Sequence, residues 1–315
     1  MAEVGGALDA EATAAALPYP ALAQAIAALL RDPSVSVPPR LVQPLPGGGS
    51  LFVMPATDAR VAITKLITFV AANAAAGRPT IQGDIVVFDA ATGARRALLD
   101  GPTVTARRTA AVSLLAAQTL APRHDGPLLV VGAGVQGRAH TDAFADGLGV
   151  REVWVASRSA ASADALVAHA RSRGLRARRV DDADAALADC PLVVSATPAQ
   201  AVCLRGRPRD DAFVAAVGAF TPRMVEWDAA VVRDLAARGT VVVDTRDADH
   251  EAGDLLQAGV DVAALPTLGE VLDDRPRGAL AGQAATRGPV LFKSCGWAGW
   301  DLAAARLIAD APAGA

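Results

Sequence analysis

The chain has 315 residues, of which 52% are hydrophobic and 20% charged, and its 30 basic and 33 acidic side chains give a net charge of −3. This balance excludes the strongly basic surface typical of nucleic-acid-binding proteins, and the apolar fraction excludes an intrinsically disordered chain. The length predicts about two domains. The three cysteines are too few for a disulfide framework, so we expect a cytoplasmic protein.

An uncharged stretch at residues 12–30 is a candidate membrane or targeting segment. It contains Pro18 and Pro20, and about ten helical residues follow Pro20, whereas a helix that spans a bilayer needs roughly 20. No basic residue precedes it, as a signal peptide would require. We therefore expect no membrane association and a buried helix from Pro20 to Leu30.

The first third of the chain is predicted to form a mixed sheet. A Pro-Gly-Gly-Gly turn separates the first two predicted strands and an Ala-Thr-Gly turn the last two, so each pair is expected to form a hairpin. A helix with apolar spacing is predicted to follow from Pro102 to Leu120. The predicted strands are Leu41–Leu45, Ser50–Met54, Arg60–Val70, Gly83–Asp89 and Arg95–Leu99.

From Pro127 onward, short apolar strands alternate with helices, which is typical of a doubly wound parallel sheet. We therefore predict an α/β protein with two domains: residues 1–120, with 295–315 packing back onto them, and residues 121–294. The predicted strands of the second domain are Leu128–Val131, Glu152–Ala156, Ala177–Val180, Leu192–Ser195, Phe213–Val217 and Val241–Asp244.

The first of these strands ends in a glycine loop with the spacing G-x-G-x-x-G. In such loops Gly132 allows a tight turn, Gly134 lets the backbone approach a pyrophosphate, and Gly137 permits close packing of helix on strand. Because the loop follows a strand and opens a helix, it predicts a dinucleotide site. The helix N-terminus, at Val135 and Gln136, is expected to face the phosphate charge.

The residues after the second strand indicate which dinucleotide is bound. An NAD site usually places an acid on the ribose hydroxyls about 20 residues beyond the loop. This chain instead has Ser157, Arg158 and Ser159 there, and their hydroxyls and guanidinium suit a 2′-phosphate. We therefore predict NADP(H) in preference to NAD(H). The alternative is that Arg158 is a solvated surface residue.

A further loop is expected to line the cofactor. Ser195 ends a strand of the same sheet, and ligands bind outside the carboxyl ends of the strands in open α/β sheets. Ala196, Thr197 and Pro198 follow that strand. They are therefore predicted cofactor contacts, although an ordinary proline-terminated turn is an alternative.

Only two of the 30 basic residues are lysines, Lys65 and Lys293. Lysine is a compact point charge and arginine a planar fork, so a lysine retained against this arginine-rich background is a candidate functional residue. Alternation along residues 60–70 puts Lys65 on an otherwise apolar face. An unpaired charge is costly there. A substrate carboxylate or imine would supply the partner, unless the side chain extends to solvent from a sheet edge.

Arginines add to this candidate site. Helical spacing places an arginine of the helix 102–120 on an apolar face, but Arg107 and Arg108 fit the pattern about equally well. Arg40, ahead of the first strand, is a further candidate cation or a solvated side chain. Three cations from different elements could bind a small carboxylate, with an arginine gripping it as a fork.

Short motifs run through nearly the whole chain. They are Pro39-Arg40, Met54-Pro55-Ala56, Thr64-Lys65-Leu66, Pro79-Thr80-Ile81-Gln82-Gly83, Phe88-Asp89-Ala90-Ala91-Thr92-Gly93, Leu98-Leu99-Asp100-Gly101, Thr105-Ala106-Arg107-Arg108-Thr109-Ala110-Ala111, the glycine loop and Phe292-Lys293-Ser294-Cys295-Gly296. Through them the chain resembles the ornithine cyclodeaminase/mu-crystallin family. The early motifs are more specific than the glycine loop, because few other families combine them.

The resemblance implies a Rossmann dinucleotide-binding domain and an α/β domain that binds substrate and forms a homodimer through its sheet. It implies that Arg40, Lys65 and Arg108 contact the carboxylate or imine region of a small imino- or amino-acid substrate. It thereby selects Arg108 over Arg107 and places Thr80 close by. Lys293 would belong to a segment that returns toward the nicotinamide, which makes it a predicted cofactor contact.

One position departs from the family pattern. Cyclodeaminases and alanine dehydrogenases of the family carry an amine-handling aspartate just after the strand predicted here at 213–217, and Phe220 takes its place. A phenyl ring cannot transfer a proton, and Asp228 is expected to be a helix-terminus residue. Thr221 is then a candidate catalytic residue that orients a water. The departure favours imine reduction over reactions of amines.

Sequence and resemblance together predict an NAD(P)H-dependent reductase of a small cyclic imino acid, such as Δ1-pyrroline-2-carboxylate, which would give L-proline. Two alternatives stay open: an ornithine cyclodeaminase, and a mu-crystallin-like protein that binds NADPH and a small ligand. No metal is expected, because the four histidines lack metal-ligand spacing. Neither nucleic acid nor a membrane is an expected partner.

Overall fold

The computed structural model describes residues 6–198, 200–273 and 288–310. The chain divides into two units. The first unit ends at Arg108 and resumes at Trp297, and the second runs from Thr109 to Gly296. The predicted boundaries lie nearby, but the division falls inside a long helix rather than at its end.

The described part of the first unit contains six strands, with helices near both of its ends. The strands are β1 (Ala7–Leu8), β2 (Leu41–Leu45), β3 (Gly49–Thr57), β4 (Val61–Phe69), β5 (Ile81–Asp89) and β6 (Arg95–Asp100). The helices are α1 (Ala10–Ala15), α2 (Tyr19–Leu30), the first turns of α3 (Gly101–Leu120) and α10 (Ala298–Ala309), with a 3-10 helix at Ala71–Ala76.

These strands form one sheet in the order β1-β6-β5-β4-β3-β2, antiparallel except for the β1–β6 pair. Both predicted hairpins are present. Burial alternates along β4, so that Val61, Ile63, Lys65 and Ile67 face inward. Helix α10 packs against β3, β4 and α2. The end of the chain therefore helps to cover the face that carries Lys65.

The second unit alternates strands with helices. Its strands are β7 (Leu128–Val131), β8 (Glu152–Ala156), β9 (Arg176–Arg179), β10 (Leu192–Ser195), β11 (Phe213–Ala216), β12 (Thr240–Val243) and β13 (Val290–Lys293). Besides the rest of α3, its helices are α4 (Val135–Leu148), α5 (Ala160–Ser172), α6 (Ala183–Ala186), α7 (Ala229–Arg238), α8 (Gly253–Gln257) and α9 (Leu268–Asp273), with 3-10 helices at Arg246–His250 and Val262–Ala264.

All seven strands are parallel, in the order β12-β13-β11-β10-β7-β8-β9. The chain leaves β7 toward β8 on one side and later returns to β10 on the other. This reversal is the point where open α/β sheets bind ligands. The predicted doubly wound sheet is therefore confirmed. Within the described ranges, no helix has the length and apolar character to cross a membrane.

Candidate functional site

In the first unit, Lys65 lies in a buried ion pair. Its side chain is 1% exposed, and its Nζ donates a hydrogen bond to Oδ1 of Asp301, a wholly buried residue of α10, at 3.0 Å. Lys65 therefore points to the inner face of the sheet, as the alternation predicts. Its partner in the structure is a protein carboxylate that the sequence analysis did not identify.

Arg108 lies beside this pair. Its Nε is 3.5 Å from the same Oδ1 of Asp301, and its side chain is buried. Among the described residues, neither Arg108 Nε nor Asp301 Oδ2 has a hydrogen-bond partner. Arg107 instead donates to the carbonyl oxygen of Leu17 and lies over the ring of Tyr19. The structure thus separates the two arginines and places Arg108 in the cation cluster.

The cluster consists of Lys65, Arg108 and Asp301, with Arg40 close enough to act on Lys65 electrostatically. Burial of Lys65 lowers its pKa most, and the positive charges of Arg108 and Arg40 lower it further. Asp301 opposes this effect, and the pKa settles at about 8 instead of 10.5. Lys65 can therefore gain or lose a proton near neutral pH. Thr80 lies half-buried just before β5, and its predicted role stays a prediction.

In the second unit, the glycine loop is shaped for a close-lying ligand. Gly132 has a φ of 107°, and a Cβ there would lie 2.5 Å from the carbonyl oxygen of Ala196. A Cβ on Gly137 would lie 2.0 Å from the carbonyl oxygen of Gly132. Neither position therefore accepts a side chain, and the turn lies directly against the loop that follows β10.

Gly134 presents the opposite case. A Cβ there would meet nothing within 4 Å, and Gly134 is the N-cap residue of α4, where it provides no side-chain cap. The first amides of α4 are thus left for another acceptor, and Val135 is 71% exposed beside them. Gln136 adds a buried Oε1 that has no partner among the described residues. These features fit a dinucleotide pyrophosphate.

The predicted 2′-phosphate site directly follows β8. Ser157 is half-buried, and Arg158 and Ser159 are exposed. The Ser159 hydroxyl caps α5 by accepting the amide hydrogen of Ser162 at 3.2 Å. Arg158 forms no ion pair with any residue in the described part of the chain. Its guanidinium is therefore available to a ligand.

A buried carboxylate joins two loops at the same edge of this sheet. Glu226 accepts hydrogen bonds from the Thr197 amide and hydroxyl, the Ser195 hydroxyl and the Gly218 amide, at 2.7–3.0 Å. Four bonds use the acceptor capacity of a carboxylate, so Glu226 is a structural tie between the loops after β10 and β11. Burial raises its pKa, and Lys293 counteracts this rise.

The side chain of Lys293 has a different partner from the predicted cofactor. It is wholly buried, and its Nζ donates to Oδ2 of Asp254 at 2.9 Å. The other oxygen of Asp254 accepts the amide hydrogens of Glu226 and Trp227. Lys293 thus supports the Glu226 segment through Asp254, and its predicted contact with the cofactor stays a prediction.

The loop after β11 contains no carboxylate at position 220. Phe220 packs half-buried against the hydrophobic core of the second unit. Asp228 caps α7 by accepting the amide hydrogen of Ala230 at 2.8 Å, as expected for a helix-terminus residue. Thr221 is half-buried, and its carbonyl accepts the amide hydrogen of Met224. Its catalytic role stays a prediction.

A metal centre is not apparent in the described residues, which contain no group of three His, Cys, Asp or Glu side chains suited to one. Cys190, Cys203 and Cys295, all within the described residues, form no disulfide. The chemistry available is therefore that of a titratable lysine with two arginines in the first unit, and of a glycine-lined phosphate cradle in the second.

Comparison with known proteins defines the family. The profile of the ornithine cyclodeaminase/mu-crystallin family matches residues 10–314. The chain is 41% identical, over 96% of its length and 94% of the relative, to a Δ1-pyrroline-2-carboxylate/Δ1-piperideine-2-carboxylate reductase of Azospirillum brasilense. It is 40% identical, over 96% of its length and 94% of the relative, to Δ1-pyrroline-2-carboxylate reductase 1 of Burkholderia multivorans. The chain belongs to the ornithine cyclodeaminase/mu-crystallin family.

A solved structure confirms the fold. An archaeal alanine dehydrogenase dimer with bound NAD superposes with a TM-score of 0.83 at 23% identity, covering 96% of this chain and 94% of that one. At this level of identity the likeness supports the architecture alone. The predicted Rossmann domain with an added α/β domain is therefore confirmed.

Proposed function

We propose that this protein is an NAD(P)H-dependent reductase of a small cyclic imino acid, with Δ1-pyrroline-2-carboxylate, reduced to L-proline, as its reference substrate. The observation that carries the proposal is the buried cluster of Lys65, Arg108 and Asp301. In it a titratable ammonium lies beside a guanidinium whose Nε donates no hydrogen bond within the described residues. Relatives at 40 and 41% identity are named for this substrate, which supports the same choice.

The residues of the cluster divide the work on an imino acid. Arg108 and Arg40 bind the carboxylate, for which a guanidinium provides a two-pronged donor. Lys65 donates a proton to the imine nitrogen as the C=N bond is reduced. A bound reduced nicotinamide would supply the hydride for the imine carbon. The lysine amine is then reprotonated from solvent, and the arginines release the carboxylate with the product.

The glycine cradle and the tip of β8 support NADP(H) as the preferred cofactor, with NAD(H) accepted. The amides at the start of α4 would bind the pyrophosphate, together with the cradle of Gly132, Gly134 and Gly137. Arg158 would pair with the 2′-phosphate, which NAD(H) lacks. Replacing Arg158 by Gln should raise KM for NADPH about tenfold, equivalent to roughly 1.4 kcal/mol of binding free energy. The same change should alter KM for NADH by no more than about twofold.

Arg151, exposed at the other end of β8, provides a matched control. The Arg151→Gln variant should retain the preference for NADPH. A wild-type enzyme with equal KM for both cofactors, or an Arg158→Gln variant with an unchanged ratio, would contradict the assignment of the 2′-phosphate site.

The reaction itself is tested by two parallel assays. Loss of the reduced-nicotinamide absorbance with Δ1-pyrroline-2-carboxylate, and formation of L-proline in equal amount, is the expected result. Ornithine with NAD+ should release no ammonia, because position 220, to which the resemblance assigns the amine-handling acid of cyclodeaminases, is a phenylalanine in this chain. Ammonia release would favour a cyclodeaminase. Tight NADPH binding without turnover of any imine would favour a binding protein.

Two further properties belong to the same proposal. A homodimer through the sheet of the first unit is supported by Leu41 and Leu66, which are 56% and 47% exposed. Both align in register with Val53, so the three side chains share the sheet face opposite Lys65. We also assign the protein to the cytoplasm, which the free thiols favour. Light scattering of the purified chain tests the dimer.

A further inference from the structure

Asp301 is a wholly buried carboxylate on an apolar helix. Its neighbours in α10, Trp300, Leu302 and Ala303, are buried as well. A carboxylate in such surroundings is strongly destabilised unless cations compensate it. Lys65 and Arg108 supply that compensation through a single oxygen, Oδ1.

The two cations are held unequally. The Nζ of Lys65 donates a hydrogen bond of 3.0 Å, whereas the Nε of Arg108 lies 3.5 Å away and donates none. An arginine committed to a carboxylate usually forms two parallel hydrogen bonds. Asp301 thus fixes the ammonium and leaves the guanidinium to another acceptor.

We propose that Asp301 is a positioning residue for imine reduction: it holds the Lys65 ammonium protonated and in place, and leaves Arg108 to bind the substrate carboxylate. This inference rests on the proposed reductase function. In the step, the imine carbon gains a hydride from reduced nicotinamide. The imine nitrogen gains the proton of Lys65, and the second electron pair of the C=N bond becomes the new N–H bond. Asp301 itself exchanges no proton.

The other charged groups around Lys65 do not take this role. Arg108 and Arg40 are cations and oppose its charge. On α10, Arg306 pairs with Asp58 and Asp32, away from Lys65. On β5, Asp84 is aligned with Leu66 and therefore lies on the opposite sheet face, while Asp89 pairs with Arg96. Strand β3 carries no charged residue. Asp301 is accordingly the described carboxylate that hydrogen-bonds Lys65.

The small number of lysines permits a direct test. Protein labelled with ¹³Cε-lysine should give two lysine signals, and Lys65→Met assigns them by removing one. Asp301→Asn keeps the side-chain volume and removes the charge. Because an opposite charge within hydrogen-bond distance shifts a pKa by about one to three units, the pKa of Lys65 should fall by that amount in this variant.

The kinetics should follow the titration. Loss of kcat/KM on the alkaline side should move to lower pH by the same amount in Asp301→Asn, so that activity at pH 8 falls about fivefold or more. If the Lys65 titration and the alkaline limb stay in place while activity falls equally at every pH, Asp301 is merely structural and the inference is wrong. Asp254→Asn is the matched control, and it should move the Lys293 signal and leave that of Lys65 in place.

A second variant tests the positioning role even if Asp301→Asn does not fold. Asp301→Glu keeps the charge but displaces it, so the pKa of Lys65 should stay near that of the wild type while kcat falls about tenfold with little change in KM. An unchanged kcat would overturn the positioning role. Failure of the wild-type protein to reduce any imine, with Lys65 still coupled to Asp301, would instead overturn the proposed function and the catalytic assignment that rests on it.

Discussion

The two lysines of this chain form nearly identical contacts in different units. Lys65 donates to Asp301 at 3.0 Å, and Lys293 donates to Asp254 at 2.9 Å. All four side chains are at most 1% exposed. Each pair therefore joins a sheet strand to a helix through a desolvated hydrogen bond between charged groups.

The charges around the two lysines differ in sign. Arg108 and Arg40 reinforce the effect of burial on Lys65, and its pKa falls to about 8. Burial also disfavours the charge of Lys293, but Asp254, Cys295 and Glu226 outweigh it and raise the pKa above its usual value. A buried lysine among cations can therefore exchange its proton near neutral pH, whereas a buried lysine among anions keeps its charge.

Removing each ammonium should give the largest contrast. Lys65→Met and Lys293→Met each remove the ammonium that pairs with a buried aspartate, which costs about 3–5 kcal/mol of unfolding free energy. Lys65→Met should also reduce kcat for the imine by about 10²–10⁴-fold, the range for loss of a general acid. Steady-state kinetics at low temperature and urea unfolding measure the two effects separately.

Lys293→Met is the matched control for this experiment. It should keep kcat within about tenfold and mainly raise KM for NADPH, because the Glu226 segment loses support next to the cofactor loops. Equal losses of kcat in the two variants would remove the distinction between a proton source and a structural charge.

Glu226 is one of the acidic groups that raise the pKa of Lys293. In Glu226→Gln an amide replaces an acceptor of four hydrogen bonds, so at least one donor loses its partner, at about 1–3 kcal/mol. We expect a lower melting temperature and a KM for NADPH raised about tenfold, with a smaller change in KM for the imine. The pKa of Lys293 should also fall, since one of its anionic neighbours is gone.

Asp210→Asn serves as the control for Glu226→Gln. Asp210 is an exposed acid of the same unit that pairs with Arg207 and Arg238. Exposed pairs contribute about 0–1 kcal/mol, so this variant should resemble the wild type in stability and in KM for NADPH. A similar loss in both variants would show that the effect comes from charge alone.

The sequence identified both lysines as candidate functional residues, but it did not identify their partners, Asp301 and Asp254. A period of two placed Lys65 on a buried face, and the scarcity of lysine marked both positions. The partner Asp301 is 236 positions from Lys65 in the chain, and no local pattern connects them. A usable signal did exist, since Asp301 is an isolated acid in an otherwise uncharged run at 297–305.

The fold shows the same division between local and long-range information. Strands β7, β8 and β10 match their predicted bounds, because each is a short run of mostly apolar residues between turns or helices. Strand β13 was not predicted as a strand. It pairs with β11 and β12, which precede it in the chain, and such insertion into a sheet is set by tertiary packing.

Removing a cationic neighbour should shift Lys65 toward ordinary lysine behaviour. Arg40 is half-buried just before β2 and lowers the pKa of Lys65 less than burial or Arg108 does. In Arg40→Gln the alkaline limb of kcat/KM should therefore move to higher pH, by less than one unit. KM for the imine should rise about tenfold as a carboxylate contact is lost. A shift to lower pH would contradict the cationic environment.

The smallest expected effect concerns stability as a function of pH. Lys65 has a folded pKa of about 8, below its unfolded value of 10.5. Between these values the unfolded chain binds more protons, so this group makes the free energy of unfolding rise with pH by up to about 1.4 kcal/mol per unit. Lys293 has a raised folded pKa, so its stabilising contribution is complete below the unfolded pKa and is lost as pH rises through the folded value.

Urea unfolding across this range separates the two lysines. The difference in unfolding free energy between wild type and Lys65→Met should increase from pH 8 toward 10.5, because only the wild type releases the proton of Lys65 on folding. The corresponding difference for Lys293→Met should stay level over the same range. If neither difference changed with pH, Lys65 would keep its charge from pH 8 to 10.5. Deprotonation of Lys65 could then not be the cause of any loss of activity above pH 8.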